Sequence, residues 1–240
     1  KMYSSNSYRL LMLLAITSGL EGFEYKITDQ VYFDVKIGDE YAGRIILGLF
    51  GDVAPKTCEN FKQIATKGVN GKTYAGTRFH TAIERIMIQG GDIENDDGTG
   101  SLSIYGKYFE DENFGIPPDS SGLLMMANNG PNTNGCEFLI TTLPMPWLEG
   151  KNVVFGKVLK GNDVVHIIEH LKTDINDRIL ENVVIEKCGL LEAAPFFEAA
   201  KNYELTFWAW IKAGWFPLSF SFAILGFFQY ILMQLNKYKI

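Results

Sequence analysis

The chain is poor in cysteine and in basic charge, and each shortage removes a class of function. Cys58, Cys136 and Cys188 are the three cysteines among 240 residues, too few and too scattered for a disulfide scaffold. They read as small buried side chains. Lysine and arginine number 22 against 28 acidic residues, a net charge of −6, and no basic cluster offsets it. A nucleic-acid partner, whose phosphates require a basic surface, is therefore not expected. His166 and His170 stand four residues apart, as a zinc pair would. With no third ligand read beside them, no metal site is expected. Asp92, Glu94, Asp96 and Asp97 imitate a calcium loop, but the glycine falls one place late at Gly98 and position twelve is Ser103. No arrangement of serine, cysteine and histidine suggests a hydrolase, and no N-x-S/T acceptor for glycosylation occurs.

What is present begins with two unusual ends around a body of ordinary globular composition, 47% apolar and 21% charged. Arg9 precedes the run Leu10-Leu11-Met12-Leu13-Leu14-Ala15-Ile16, and Thr17, Ser18 and Gly19 follow. A basic start, a short apolar stretch and small residues describe a secretory signal, expected over residues 1–22. From Ala213 to Leu235 no side chain is charged, and about 20 apolar residues span a bilayer core. Trp208, Trp210 and Trp215 flank one edge, Tyr230 and Tyr238 the other, and Lys237 and Lys239 follow the run. This predicts an anchor over residues 207–235, with the span at about 213–235, and a short cytosolic tail over 236–240. The expected protein is type I, its body in the lumen of the endoplasmic reticulum and secretory pathway. Residues 191–206, with Glu192, Glu198 and Glu204, read as an acidic stalk holding a helical turn or two.

The body, residues 23–190, reads as mainly β. Val31 to Ile37 alternates as a half-buried strand does, and Gly43 to Phe50 follows after a Gly38-Asp39-Glu40 turn. Pro55 opens a helix that Gly68 stops, with Phe61, Ile64 and Ala65 on one face. Short strands are predicted around 78–80, 86–90, 122–127, 138–142, 153–159 and 183–188. A second helix is predicted over 161–171, its apolar face made by Val164, Val165, Ile167, Ile168 and Leu171. Many short strands with two helices suggest a closed barrel with plugged ends.

Four stretches then carry a resemblance. They are Phe79 to Asp92, with the core Ile86-Met87-Ile88-Gln89-Gly90-Gly91; Asp97-Gly98-Thr99-Gly100 with Phe109-Glu110-Asp111-Glu112-Asn113-Phe114; Met126-Ala127-Asn128-Asn129-Gly130-Pro131-Asn132-Thr133-Asn134-Gly135; and Trp147-Leu148-Glu149-Gly150-Lys151 through Val158. In this order and spacing they resemble the cyclophilins, the barrel-shaped prolyl isomerases, over roughly residues 31–190. The resemblance implies a closed eight-stranded antiparallel β-barrel capped by two α-helices, here with a C-terminal transmembrane helix added. It also implies a proline-containing client and binding of cyclosporin. The layout of signal, barrel and anchor is similar to the membrane-anchored photoreceptor members of the family in flies, which implies a rhodopsin-like receptor as client.

The chemistry of such a protein is rotation about a peptide bond, against a barrier of about 18–20 kcal/mol from amide conjugation. No bond is broken, so no nucleophile, cofactor or metal is required. The protein must hold the proline ring and favour the twisted amide over the planar one. In the family an arginine directly after the histidine donates toward the prolyl nitrogen; that position is Thr81. Gln89 and Asn128 match the family's polar groups, and Ala127 its backbone-holding partner. The pocket phenylalanine and methionine correspond to Ile86 and Met87, and the second phenylalanine to Leu139. Glu137 stands for a glutamine, Trp147 and Leu148 keep the rim, and Asn152 replaces a histidine. His80 matches a buried structural histidine. A hydrogen bond from a charged group is worth about 1.5–3 kcal/mol, so its loss from the transition state alone would slow turnover roughly 10- to 150-fold. Weak or absent isomerase activity and weakened cyclosporin binding are expected. The alternative is a chaperone that uses the same groove without catalysis. Arg85 is read as a solvated turn residue rather than a replacement for the missing cation.

Overall fold

The computed structural model describes residues 24–199, together with Gln229 and Met233, both helical. The expected signal, anchor and cytosolic tail lie outside the described residues apart from those two positions. Among the described residues no helix is long and apolar enough to cross a membrane.

Ten strands and two helices make up the described body: β1 Glu24–Ile27, β2 Asp29–Ile37, β3 Glu40–Leu49, α1 Pro55–Thr66, β4 Phe79–Ile83, β5 Met87–Gly90, β6 Leu123–Met126, β7 Phe138–Thr141, β8 Val154–Lys160, α2 Asn162–Glu169, β9 Val183–Leu191 and β10 Phe196–Ala199. Eight of the strands form one sheet in the order β4-β5-β7-β6-β8-β3-β2-β9, and every pairing within it is antiparallel. The two ends of the sheet meet at the start of β4. Ile185 N donates to Thr77 O at 2.9 Å, Gly76 N donates to Ile185 O at 2.8 Å, and Arg78 bridges Val184. The barrel is thus nearly closed, which leaves little free edge for unwanted pairing.

Side-chain alternation explains how the barrel is filled. β6 and β7 are buried at every position, because both of their faces are covered. Leu124, Met126, Phe138 and Ile140 point into the main core, while Leu123, Met125 and Leu139 join a second apolar cluster with Ile27, Phe50 and Ile116. The centre of the main core is aromatic. Phe138 lies 5.3–5.8 Å, centroid to centroid, from Phe33, Phe61, Tyr74 and Phe79, and the Tyr74 hydroxyl donates to Cys136 O at 2.8 Å. α1 seals one opening with Phe61, Ile64 and Ala65. α2 seals the other with Val164, Val165 and Ile168. Gly43, at φ +141°, permits this second closure, because a Cβ there would stand 2.6 Å from Val164 Cγ2.

Two expectations are corrected. Ile167, placed on the apolar face of the second helix, is 47% exposed. Part of the expected acidic stalk is strand rather than helical turn, since β10 pairs antiparallel with β1. Phe196 and Tyr25 pack this ribbon against the second apolar cluster, and burial of that cluster outweighs any local helical preference.

All three cysteines are free thiols; Cys58 and Cys136 are buried as expected, whereas Cys188 is only half-buried. Burial pushes the Cys136 thiol up to about 11 and the Cys58 thiol well above its ordinary range, so both stay protonated and inert.

Candidate active site

The cleft is built on the β4–β5–β7 wall. Register places Thr81 opposite Gln89, and Gln89 opposite Leu139. The Gln89 amide Nε2 donates to Glu137 Oε2 at 2.8 Å. Ala127 is drawn to the same place, its N–H donating to Glu137 O at 3.0 Å. Gln89, Ala127, Asn128 and Glu137 together line an open polar cleft, with Gly98 and Thr133 also in its lining. Gln89 is therefore brought together with three residues of the segment 127–137.

The apolar residues converge beside it. Leu139, 5% exposed, sits in the second apolar cluster, and Met87 and Leu148 pack against that cluster. Ile86 is half-buried at the mouth of β5, with its carbonyl accepting from Thr142 N at 2.9 Å. Trp147 rides on the short 3-10 turn Pro146–Leu148 and is 54% exposed. Asn152 turns its Nδ2 to Met126 O at 3.0 Å, and Asn128 turns its own to Lys151 O at 2.8 Å. Both amides are committed to backbone carbonyls, one at the end of β6 and one in the loop before β8.

The wall behind the cleft belongs to a loop that a carboxylate organises. Asp92 accepts backbone N–H groups from Glu94, Asn95, Asp97, Gly98 and Gly100 at 2.9–3.2 Å. Burial opposes its ionisation, but the converging N–H donors prevail and hold the carboxyl at about 2. The acidic run that imitates a calcium loop is in fact a self-satisfied anion turn, and it carries Gly98 into the cleft.

Sequence reasoning missed one neighbour of Thr81. Residue 178 bridges Thr81 across the barrel seam, and the Arg178 guanidinium reaches His80, with Nη1 3.3 Å from Nδ1. It also donates to Asp97 O. The Thr81 hydroxyl lies 2.8 Å from the same Nδ1. A guanidinium can only donate, so Nδ1 bears the lone pair and the ring proton sits on Nε2. Nε2 faces Glu137 Oε2 at 3.2 Å but is out of line for a hydrogen bond. Arg178 lines the outer side of His80 with Asp97 and Glu181, not the polar cleft that holds Gln89. Arg85, by contrast, is an exposed turn residue at φ +59°.

The second helix also departs from expectation. Beside His166 and His170 a third donor is present, the buried carboxylate of Glu169.

An eight-stranded antiparallel barrel, two helical plugs and a polar cleft beside an apolar cluster define a peptide-binding barrel of the prolyl-isomerase type. The family profile described as cyclophilin type peptidyl-prolyl cis-trans isomerase/CLD matches residues 32–190, and the chain belongs to the cyclophilin family. It is 45% identical over 229 residues to the rhodopsin-specific isozyme of peptidyl-prolyl cis-trans isomerase from Calliphora vicina, covering 95% of this chain and 97% of that protein. It is 49% identical over 181 residues to peptidyl-prolyl cis-trans isomerase D of Saccharomyces cerevisiae, covering 75% of this chain and 80% of that one. Isomerase B of the same yeast is also 49% identical, over 164 residues.

Proposed function

We propose that the protein is a membrane-tethered cyclophilin of the secretory pathway that holds proline-containing segments of a client and isomerises them slowly. A signal over 1–22, a lumenal barrel and an anchor over 207–235 make up its layout. The observation that carries the slow turnover is Thr81: a short neutral side chain, engaged with His80 at 2.8 Å, stands where the family's cation would meet the substrate. Gln89 and the backbones of Ala127 and Asn128 supply polar groups for the client backbone, while Met87, Leu139 and Leu148 receive the proline ring. Ile86 and Trp147 border that pocket. The client we favour is a rhodopsin-like receptor, because similarity to the blowfly isozyme extends over nearly the whole chain. Cyclosporin binding is retained but weak, through Trp147.

The test is prolyl exchange on a short proline peptide by the full chain beside a cyclophilin that has the arginine. Turnover roughly 10- to 150-fold slower is expected from the loss of one charged hydrogen bond; equal rates overturn the reading. A second reading rests on Arg178, whose guanidinium is next to His80 and Thr81. On that reading it supplies the missing cation after a shift into the cleft, and turnover is normal.

A further inference from the structure

We propose that His166, Glu169 and His170 form a binding site for a divalent cation of the zinc class, placed at the plugged end of the barrel and away from the polar cleft.

The spacing His166-Ile167-Ile168-Glu169-His170 puts three donors on one side of α2 and its C-terminal end. One donor atom from each lies within 4.8 Å of the others. Glu169 Oε2 is 3.3 Å from His166 Nδ1 and 3.7 Å from His170 Nδ1. Ligands on a tetrahedral zinc, at bonds of about 2.0–2.1 Å, stand roughly 3.4 Å apart; His170 Nδ1 now donates to His166 O at 2.8 Å, so the ring must give up that bond or turn its Nε2 inward for a cation to bind. The two imidazole rings already touch, with centroids 4.2 Å apart. Two nitrogens and one carboxylate oxygen suit zinc, nickel or copper rather than calcium or magnesium.

The carboxylate is held in place, as a ligand should be. Glu169 is buried, with 6% of its side chain exposed, although a surface histidine pair would be satisfied by a solvated partner. Its Oε1 accepts the Arg85 backbone N–H at 2.6 Å, which leaves Oε2 facing the rings. Such outer contacts orient metal ligands and tune their affinity. A second carboxylate is near: Glu84 Oε1 lies 4.0 Å from His170 Nε2, able to move in as a fourth ligand. Both histidines are exposed, so a cation has an open entry.

Occupancy would reach the cleft mechanically. Glu169 ties α2 to Arg85, and Arg85 is the positive-φ residue of the turn between β4 and β5. That hairpin carries Thr81 at one end and Met87 and Gln89 at the other. A bound cation would fix Glu169 and so stiffen the turn.

The full chain, purified in non-ionic detergent and stripped of metal by chelation, is titrated with zinc chloride by calorimetry and with cobalt chloride by visible absorption. One saturating equivalent and a tetrahedral cobalt spectrum are expected. His166→Ala and His170→Ala should each weaken zinc binding at least tenfold, and circular dichroism should show both variants folded. His80 and the thiols remain in both, so binding that persists unchanged in the double variant, or that saturates only at millimolar zinc, overturns the site. Hydrogen exchange at the Arg85 amide should slow at least severalfold with zinc; an unchanged rate overturns the coupling to the hairpin.

Discussion

Arg178 Nη1 lies 3.3 Å from His80 Nδ1, across a separation of 98 residues, and the hydroxyl of Thr81 meets the same nitrogen at 2.8 Å. The Arg178 guanidinium thus stands behind the histidine, engaged by His80 and by the Asp97 carbonyl. Arg178→Gln keeps donors but removes charge. If Thr81 sets the rate, this substitution changes kcat/KM for a proline peptide less than about threefold. A loss beyond about tenfold, the worth of one charged hydrogen bond, would assign the cationic role to Arg178.

Thr81→Arg should raise kcat/KM only severalfold, short of the full 10- to 150-fold, because on the proposed reading Ile86 and Leu139 stand where the family has aromatic pocket residues. Adding Ile86→Phe should raise it further, mainly through KM. Leu139→Phe is a different matter: Leu139 is 5% exposed within a packed cluster, and overpacking there should cost about 1–3 kcal/mol of stability. Stopped-flow peptide assays and urea unfolding check the two effects. Full recovery from Thr81→Arg alone would show that pocket shape matters little.

Glu137 faces the cleft with one oxygen accepting from Gln89. Glu137→Gln should reduce any preference for peptides with lysine or arginine beside the proline by roughly threefold, and leave neutral peptides unaffected. Fluorescence titrations at low and high salt check this, since screening should reduce the effect in the unmodified protein.

Asp92 gives the loop 92–100 an acid-labile component of stability. Its folded-state carboxyl lies at about 2, below the ordinary value near 3.9. The contribution is complete above the unfolded value and disappears as pH falls from about 4 toward 2. Asp92→Asn, which turns an amide N–H group toward donors, should destabilise the protein by about 2–4 kcal/mol and flatten the acid limb of its stability curve. Thermal melts between pH 2 and 6 measure both.

Cys58 and Cys136 should resist Ellman's reagent in the native protein at pH 8 and react on unfolding, because burial holds both thiols protonated. Rapid native labelling of either would contradict the packing described around α1 and β7.

Much of the fold was legible because burial writes itself locally. The alternation of Val31, Phe33 and Val35 announced β2, and Pro55 with Phe61, Ile64 and Ala65 announced α1. The convergence of Gln89, Ala127, Asn128 and Glu137 was legible only through the family resemblance, which supplied a register that periodicity does not contain. Ile167 misled, because a helix of eight residues buries a narrower stripe than its apolar content suggests. The strand at Phe196–Ala199 was misread because its partner, β1, lies at the opposite end of the body. Glu169 stands next to His170 and three residues after His166 in the sequence, but only its burial and its bond to Arg85 separate it from an ordinary solvated helix carboxylate.

The sequence alone determined the strand and helix pattern of the barrel, the family, and the identity of the side chain at position 81, since each of these depends on local periodicity or on a linear order of motifs. Tertiary structure decided what stands near that side chain and what the second helix holds: the arginine across the seam beside His80, the Glu137 carboxylate that accepts from Gln89, and, on the helix, the buried glutamate beside the histidine pair. These arise where the barrel closes on itself, and closure brings together residues whose separation along the chain carries no record of their distance in space.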